Sequence, residues 1–450
     1  MRALLASAGL GAACTWSHAA AADCVAQRPT QESAAWTYAG APAGSLNSPR
    51  GSAKIWYATS GVHAPKVGTG DVPPLVTLAA EVADTALARF AELGFFPPVA
   101  DAGDANCDDD GDDERIDLYL FDFPSADGTA QLSACSDGQG CSGFVLFEND
   151  FMAKGYSSPA VGARTVVPHE LFHLIQYAYA SEHDVWWSEA TAQWASKAVN
   201  PELTDLERFL PAFFSNTHRP LDFPPSGAAA AFSYGAAIWP VFLTERFGRD
   251  IVREVFEQLA AGAASTFDAT EAALLTRRSS LSQAFAEFAS WNAATSLRHG
   301  EGGYAHGGDY PSVKIEALTE PALSLTLAGL SSRYFSFDPR EESRVTLSVD
   351  ATRAVGRYIP LVDGRAVLSE AQALPVTAAA PGVIAVVGQA WDHRDVAVTL
   401  SVEAAVDPAE SLEPAAASGC CFRAGTTPNG ALAVGLLLLA ERVVRRRSKR

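Results

Sequence analysis

The segment Val166 to Tyr179 reads Val-Val-Pro-His-Glu-Leu-Phe-His-Leu-Ile-Gln-Tyr-Ala-Tyr. His169 and His173 stand four residues apart, so on a helix both imidazoles share one face and can chelate a single metal ion, zinc above all. Glu170 lies beside them, and its carboxylate can take a proton from a water polarised by that ion. Val166, Val167, Leu171, Phe172, Leu174 and Ile175 make the same helix apolar nearly all round. Two histidines and a glutamate buried in such a helix are costly unless they are paired or metal-bound.

A catalytic zinc site needs a third protein ligand and an open position for water. Thirteen residues after His173 begins Trp186-Trp187-Ser188-Glu189-Ala190-Thr191-Ala192-Gln193-Trp194, a strongly helical stretch. Ser188 is expected to cap or open it. If this helix runs antiparallel to the first across the short connection Ser181 to Val185, Glu189 in its first turn comes beside His169 and His173. His183 and Asp184, in the connection itself, are the competing third ligands. Trp186, Trp187 and Trp194 are expected to pack in the core rather than contact substrate.

Gln176 and Tyr179 stand where a metzincin carries Gly and His, which excludes that class. The stretch Pro168 to Trp194 instead resembles the gluzincin metallopeptidases, the group with Trp-x-x-Glu-Gly-x-Ala-x-Trp on the second helix, here with Ala190 in place of Gly. The resemblance implies a zincin-like domain, His169, His173 and Glu189 as zinc ligands, and Glu170 as general base. Ser233-Tyr234-Gly235 is similar to a Tyr-Gly segment downstream of the glutamate helix in such domains, making Tyr234 the candidate donor to the oxyanion. The strand Gly143 to Phe147 is the expected edge along which an extended peptide aligns.

A second constellation lies at Asp101 to Asp117, where nine acidic residues and one Arg leave a net charge of −8. Asn106, Asp108, Asp110, Asp112 and Asp117 fall at positions 1, 3, 5, 7 and 12 of a calcium loop, with Gly111 at the turn position. A second frame uses Asp104, Asn106 and Asp108. The expectation is a calcium-stabilised turn at 104–117 leading into the strand Ile116 to Phe123. Of the seven cysteines, Cys24, Cys107, Cys135 and Cys141 remain once a leader and tail are set aside. Three pairings are open, of which Cys135 with Cys141 and Cys24 with Cys107 is preferred, because Cys135 and Cys141 flank a short glycine-containing loop.

These groups need elements to hold them. Apolar spacing predicts helices at 73–93, 165–181, 186–199, 203–216, 230–248, 249–262, 266–277 and 281–297, with strands at 116–123 and 143–147 between the first two. From Ser312 to Glu403 short β runs follow, such as Leu-Ser-Leu-Thr-Leu-Ala and Gly-Val-Ile-Ala-Val-Val-Gly. The fold class is therefore α+β: a metallopeptidase domain at 23–300, with a small sheet and a helical subdomain, then an accessory all-β sandwich at 310–405.

Both ends read as addresses. Residues 1–22 have the order of a secretory signal peptide, from Arg2 through an apolar stretch to Ala19-Ala20-Ala21-Ala22. A linker at 406–418 precedes Gly419-Cys420-Cys421, a ten-residue apolar run and a cluster of arginines. This tail, 419–450, resembles the C-terminal sorting tails of myxobacterial surface proteins, and a plain membrane anchor is the alternative. It implies an exported protein at the cell surface or outer membrane, or secreted after tail processing, with cell-envelope sorting machinery as a partner. The signal contributes one positive charge and the tail a net +6, so residues 23–418 carry −26, offset by the two ends to −19 for the whole chain. Such acidity repels phosphate and argues against nucleic-acid binding. The expected protein is a monomeric zinc endopeptidase acting on peptides or proteins; the rival is a surface adhesion protein keeping a peptidase-like fold without turnover.

Overall fold

A computed structural model describes residues 27–31, 34–66, 70–100, 113–136, 140–152, 154–224, 230–392 and 394–404. The expected signal segment, Cys24, Asn106, Cys107, Asp108, Asp110, Asp112 and the tail lie outside the described residues. The class is α+β.

The N-terminal part begins with a hairpin, β1 (Ala43–Asn47) and β2 (Ala53–Ala58). Helix α1 (Pro74–Glu92), with proline in its first turn where a missing N–H costs nothing, carries the chain to β3 (Ile116–Phe121). Strands β4 (Gly128–Ser136) and β5 (Gly140–Glu148) complete a sheet of order β1-β2-β3-β5-β4. Strands β2, β3 and β5 are parallel, whereas β4 runs antiparallel to β5 with a bulge between Leu132 and Cys135. The expected edge, Gly143 to Phe147, is thus wrong: β5 lies between β3 and β4, its backbone groups are taken on both sides, and β4 is the edge. Cys135 and Cys141 face each other across this hairpin at disulfide distance.

Alternation decides what each sheet face covers. Val145 and Phe147 of β5 join the core beneath the helices, while Phe144 and Leu146 join Tyr38, Tyr119 and Phe121 on the other face. Over the first face lie α2 (Pro159–Tyr179) and α3 (Val185–Val199). Phe90, Phe95, Phe172, Trp194 and Phe256 meet edge to face between them, and Trp187 is fully buried. Each such ring contributes about 1.5–3 kcal/mol of burial.

Helix α2 starts six residues before its expected boundary. Ser158 caps it by accepting from the Val161 N–H at 3.2 Å, and Pro159 fits its first turn. Helices α4 (Asp205–Phe214), α5 (Ala230–Gly235), α6 (Ile238–Phe247), α7 (Ile251–Ala260), α8 (Thr266–Leu275) and α9 (Leu281–Ala293) follow. The expected single helix 230–248 is broken at Ala236–Ala237. Pro240 has no N–H to give to a preceding turn, and α6 starts just before it, where a missing N–H costs little; Tyr234 lies at the end of α5.

The C-terminal strands form two facing sheets. One contains β6 (Ile315–Ala317), β8 (Ser332–Phe337), β10 (Ala354–Val362), β11 (Arg365–Ala366), β12 (Gln372–Ala373) and β14 (Gly382–Gly388). The other contains β7 (Ala322–Leu327), β9 (Ser343–Ser348), β13 (Val376–Ala378) and β15 (Val396–Ala404). Every residue of β14 is buried: Ile384 and Val386 fill the core between the sheets, while Val383, Ala385 and Val387 join the helical core with α9. A strand apolar on both faces must be covered on both. Among the described residues no helix is long and apolar enough to cross a membrane.

Candidate metal centre

The position of the centre follows from how α2 and α3 are fastened. Pro168 lacks an N–H, which frees the Arg164 carbonyl one turn back. Asn200 Nδ2 donates to that oxygen at 2.8 Å, and Ser196 Oγ donates to the Thr165 carbonyl at 2.8 Å. Both donors come from the end of α3, so the turn before His169 is satisfied by the helix that carries Glu189.

The two helices then bring three donor atoms together. His169 Nε2 lies 3.3 Å and His173 Nε2 3.9 Å from Glu189 Oε2, and one ligand atom of each residue lies within 4.8 Å of the others. A tetrahedral first-row ion with bonds of about 2.1 Å separates its donors by about 3.4 Å. The set of two imidazoles and one carboxylate therefore fits such an ion, with one position left over. No other group of three His, Cys, Asp or Glu donors meets this spacing among the described residues. Of the competing ligands, His183 Nε2 is turned to the Gln176 carbonyl at 2.8 Å, and Asp184 Oδ2 accepts from the Thr266 N–H at 3.2 Å.

Electrostatics agree with a cation site. Burial opposes charge on His169, but the Glu189 hydrogen bond and the charges of Glu170, Glu189 and Asp205 raise its pKa above the ordinary value. Burial holds His173 below its usual range despite Glu189. Burial pushes Glu189 upward, yet the hydrogen bond from His169 and both imidazole charges outweigh it and hold the carboxyl at about 2.

Glu170 is itself buried, which pushes its carboxyl to about 7, with the charge of His169 working against burial. It accepts a backbone hydrogen bond from Ala130 on β4. The edge strand is so close that a Cβ on Gly128 would stand 2.8 Å from Glu170 Oε1 and 2.7 Å from Val166 Cγ1. Only glycine lets β4 lie there. The Tyr234 ring sits 5.9 Å from that of His169, and burial first, then the Glu189 and Glu170 charges, keep its phenol protonated. These groups line a cleft of about 490 Å³, with Thr129, Tyr177 and Ser188 on its walls.

Sequence reasoning placed His169, Glu170, His173, Glu189 and Tyr234, and the structure brings all five to one cleft. It missed β4 and Gly128, whose stretch carries few β-branched or aromatic residues, and it missed Gln176. Ser188 is not a cap. It lies inside the first turn of α3, where its hydroxyl stands 3.2 Å from His173 Nδ1. Asp117, read as a calcium ligand, points inward on β3, where it accepts from Trp56 Nε1 at 2.8 Å and pairs with Arg28 at 3.4 Å. Its carboxylate is engaged by both of these partners. No family profile matches this chain, and no curated protein matches it in sequence.

Proposed function

We propose that this chain is a zinc-dependent endopeptidase of the zincin type, exported and held at the cell surface by its tail. What supports this most is the meeting of His169, His173 and Glu189 donor atoms within 4.8 Å of one another, beside a buried Glu170. When bound, zinc supplies a Lewis acid that acidifies a water and polarises a peptide carbonyl. Glu170 accepts a proton at its carboxylate and returns it to the leaving amine. The Tyr234 hydroxyl, kept protonated, donates to negative charge developing on the carbonyl oxygen. The outer edge of β4 aligns an extended peptide along the cleft by strand addition. Calcium at the acidic segment, without Asp117, is part of the same proposal.

The test uses the full chain. Wild type is expected to carry one zinc and to cleave members of a broad peptide library, and chelation should abolish cleavage until zinc is restored. Glu170→Gln should keep the metal and lose about 10²–10⁴-fold in rate. A wild type that binds zinc but cleaves nothing, indistinguishable from Glu170→Gln, would establish the silent surface protein instead.

A further inference from the structure

Gln176 is fully buried three residues beyond His173, on the same side of α2. All four hydrogen-bonding positions of its amide are used. Nε2 donates to the Ser188 carbonyl at 2.9 Å and to Thr191 Oγ1 at 3.0 Å. Oε1 lies 2.9 Å from His173 Nδ1 and accepts from Ser188 Oγ at 2.5 Å. A backbone carbonyl can only accept, and the Thr191 hydroxyl proton is already given to the Trp187 carbonyl at 2.7 Å. The amide nitrogen must therefore face α3, and its oxygen must face His173. Flipping the amide would set oxygen against oxygen at both α3 contacts.

From this arrangement we infer that Gln176 is the positioning residue of the metal centre: it holds the His173 proton on Nδ1, leaving Nε2 bare toward Glu189, and pins the Ser188–Glu189 turn of α3. The oxygen of Gln176 has no proton to give, so His173 Nδ1 must be the donor of that pair. The bond to the Ser188 carbonyl fixes the peptide that leads into Glu189. One side chain thus orients two of the three donors, and it does so with a neutral amide rather than a carboxylate. A neutral partner leaves the imidazole less electron-rich than a charged one, so the ion it holds stays the stronger Lewis acid.

This rests on the metal-centre reading, and the experiment separates the two. In the metal-free full chain, ¹⁵N shifts of the histidine rings report the tautomer directly. His173 is expected with its proton on Nδ1 in wild type and moved toward Nε2 in Gln176→Met. Zinc affinity, measured by competition with a chelating dye, is expected to fall 10–100-fold in Gln176→Met. Gln176→Glu keeps an acceptor for Nδ1 but sets a carboxylate oxygen against the Ser188 carbonyl, so it should keep the His173 proton on Nδ1 and still lose zinc affinity. Tyr304→Phe removes a comparable buried bond away from α2 and α3, that from the Tyr304 hydroxyl to Asn292 Oδ1 at 2.7 Å, and should leave affinity unchanged, with folding of every variant checked by near-ultraviolet circular dichroism. Wild-type His173 protonated on Nε2, or Gln176→Met binding zinc as tightly as Tyr304→Phe, overturns the inference. A wild type that binds no zinc overturns the metal-centre reading instead, while the tautomer measurement still decides the role of Gln176.

Discussion

The α2–α3 pair and β14 both bury most of their residues, and they do so at opposite cost. Strand β14 presents Val383, Ile384, Ala385, Val386 and Val387 to two cores with no ionisable group among them. Among the described residues beyond 310, no charged side chain is buried. The helix pair buries His169, Glu170, His173, Gln176 and Thr191 within one short stretch. The apolar packing of β14 needs only shape, and hydrogen bonds such as Ser332 N–H to the Thr217 carbonyl at 2.7 Å and Gln389 Nε2 to the Ser282 carbonyl at 3.2 Å join the sandwich to the helices at its margin. The polar layer needs every donor matched to an acceptor, because an unpaired group there costs about 1–3 kcal/mol. Chemistry is therefore to be sought where burial is unfavourable yet satisfied.

Substitutions in the two regions should therefore separate metal binding from stability. The largest effect is expected at His169→Ala, which removes one ligand and leaves the Glu189 charge buried with a weaker partner. Zinc content by mass spectrometry should fall to background and cleavage with it, while the fold persists. Trp187→Ala, next in size, should lower stability by about 3–5 kcal/mol in urea unfolding, since the ring is fully enclosed under both helices.

Ile384→Ala is the complementary change in the dry core. It should cost about 2–5 kcal/mol in the same measurement while leaving zinc affinity unaltered; a matching loss of affinity would show the two regions to be coupled. Gly128→Ala puts a methyl group against Glu170 and Val166, for which about 1–3 kcal/mol of overpacking is expected. Turnover of a peptide substrate should drop more than zinc binding does.

The smallest effect concerns Asp84, which ties α1 to the β1–β2 hairpin by accepting from Ser48, Ser52 and the Arg50 N–H. Burial raises its pKa, but those hydrogen bonds lower it further, and the net shift is downward. A depressed folded value means the stabilisation is present above the unfolded value of about 4 and is lost as pH falls through the folded one. Wild type should exceed Asp84→Asn in melting temperature at pH 7, with the gap closing below about pH 4.

Much of this was legible because period and composition agreed. Helix α1 with its leading proline and the strand-like run of β14 matched their elements within a few residues, and the apolar α2 was found at its C-terminal end though it starts six residues earlier. Strands β4 and β10 escaped notice for a shared reason: Gly128, Gln131, Gly356, Arg357 and Pro360 interrupt alternation, and cross-strand pairing rather than propensity makes them strands. The break before α6 was signalled by Pro240 but not where it fell. The site shows the same division, since His169, Glu170 and His173 announce themselves by local spacing, whereas Gly128 and Gln176 matter only through partners distant in the chain.

What the sequence alone determined is the facing pair of imidazoles, because helical geometry puts i and i+4 on one side whatever surrounds them. That Glu189 meets them, that β4 rather than β5 forms the open edge, and that Gln176 orients His173 were decided only by tertiary structure. Each depends on how two elements are set against each other, which is fixed by packing and by matched buried hydrogen bonds between side chains that local periodicity does not record.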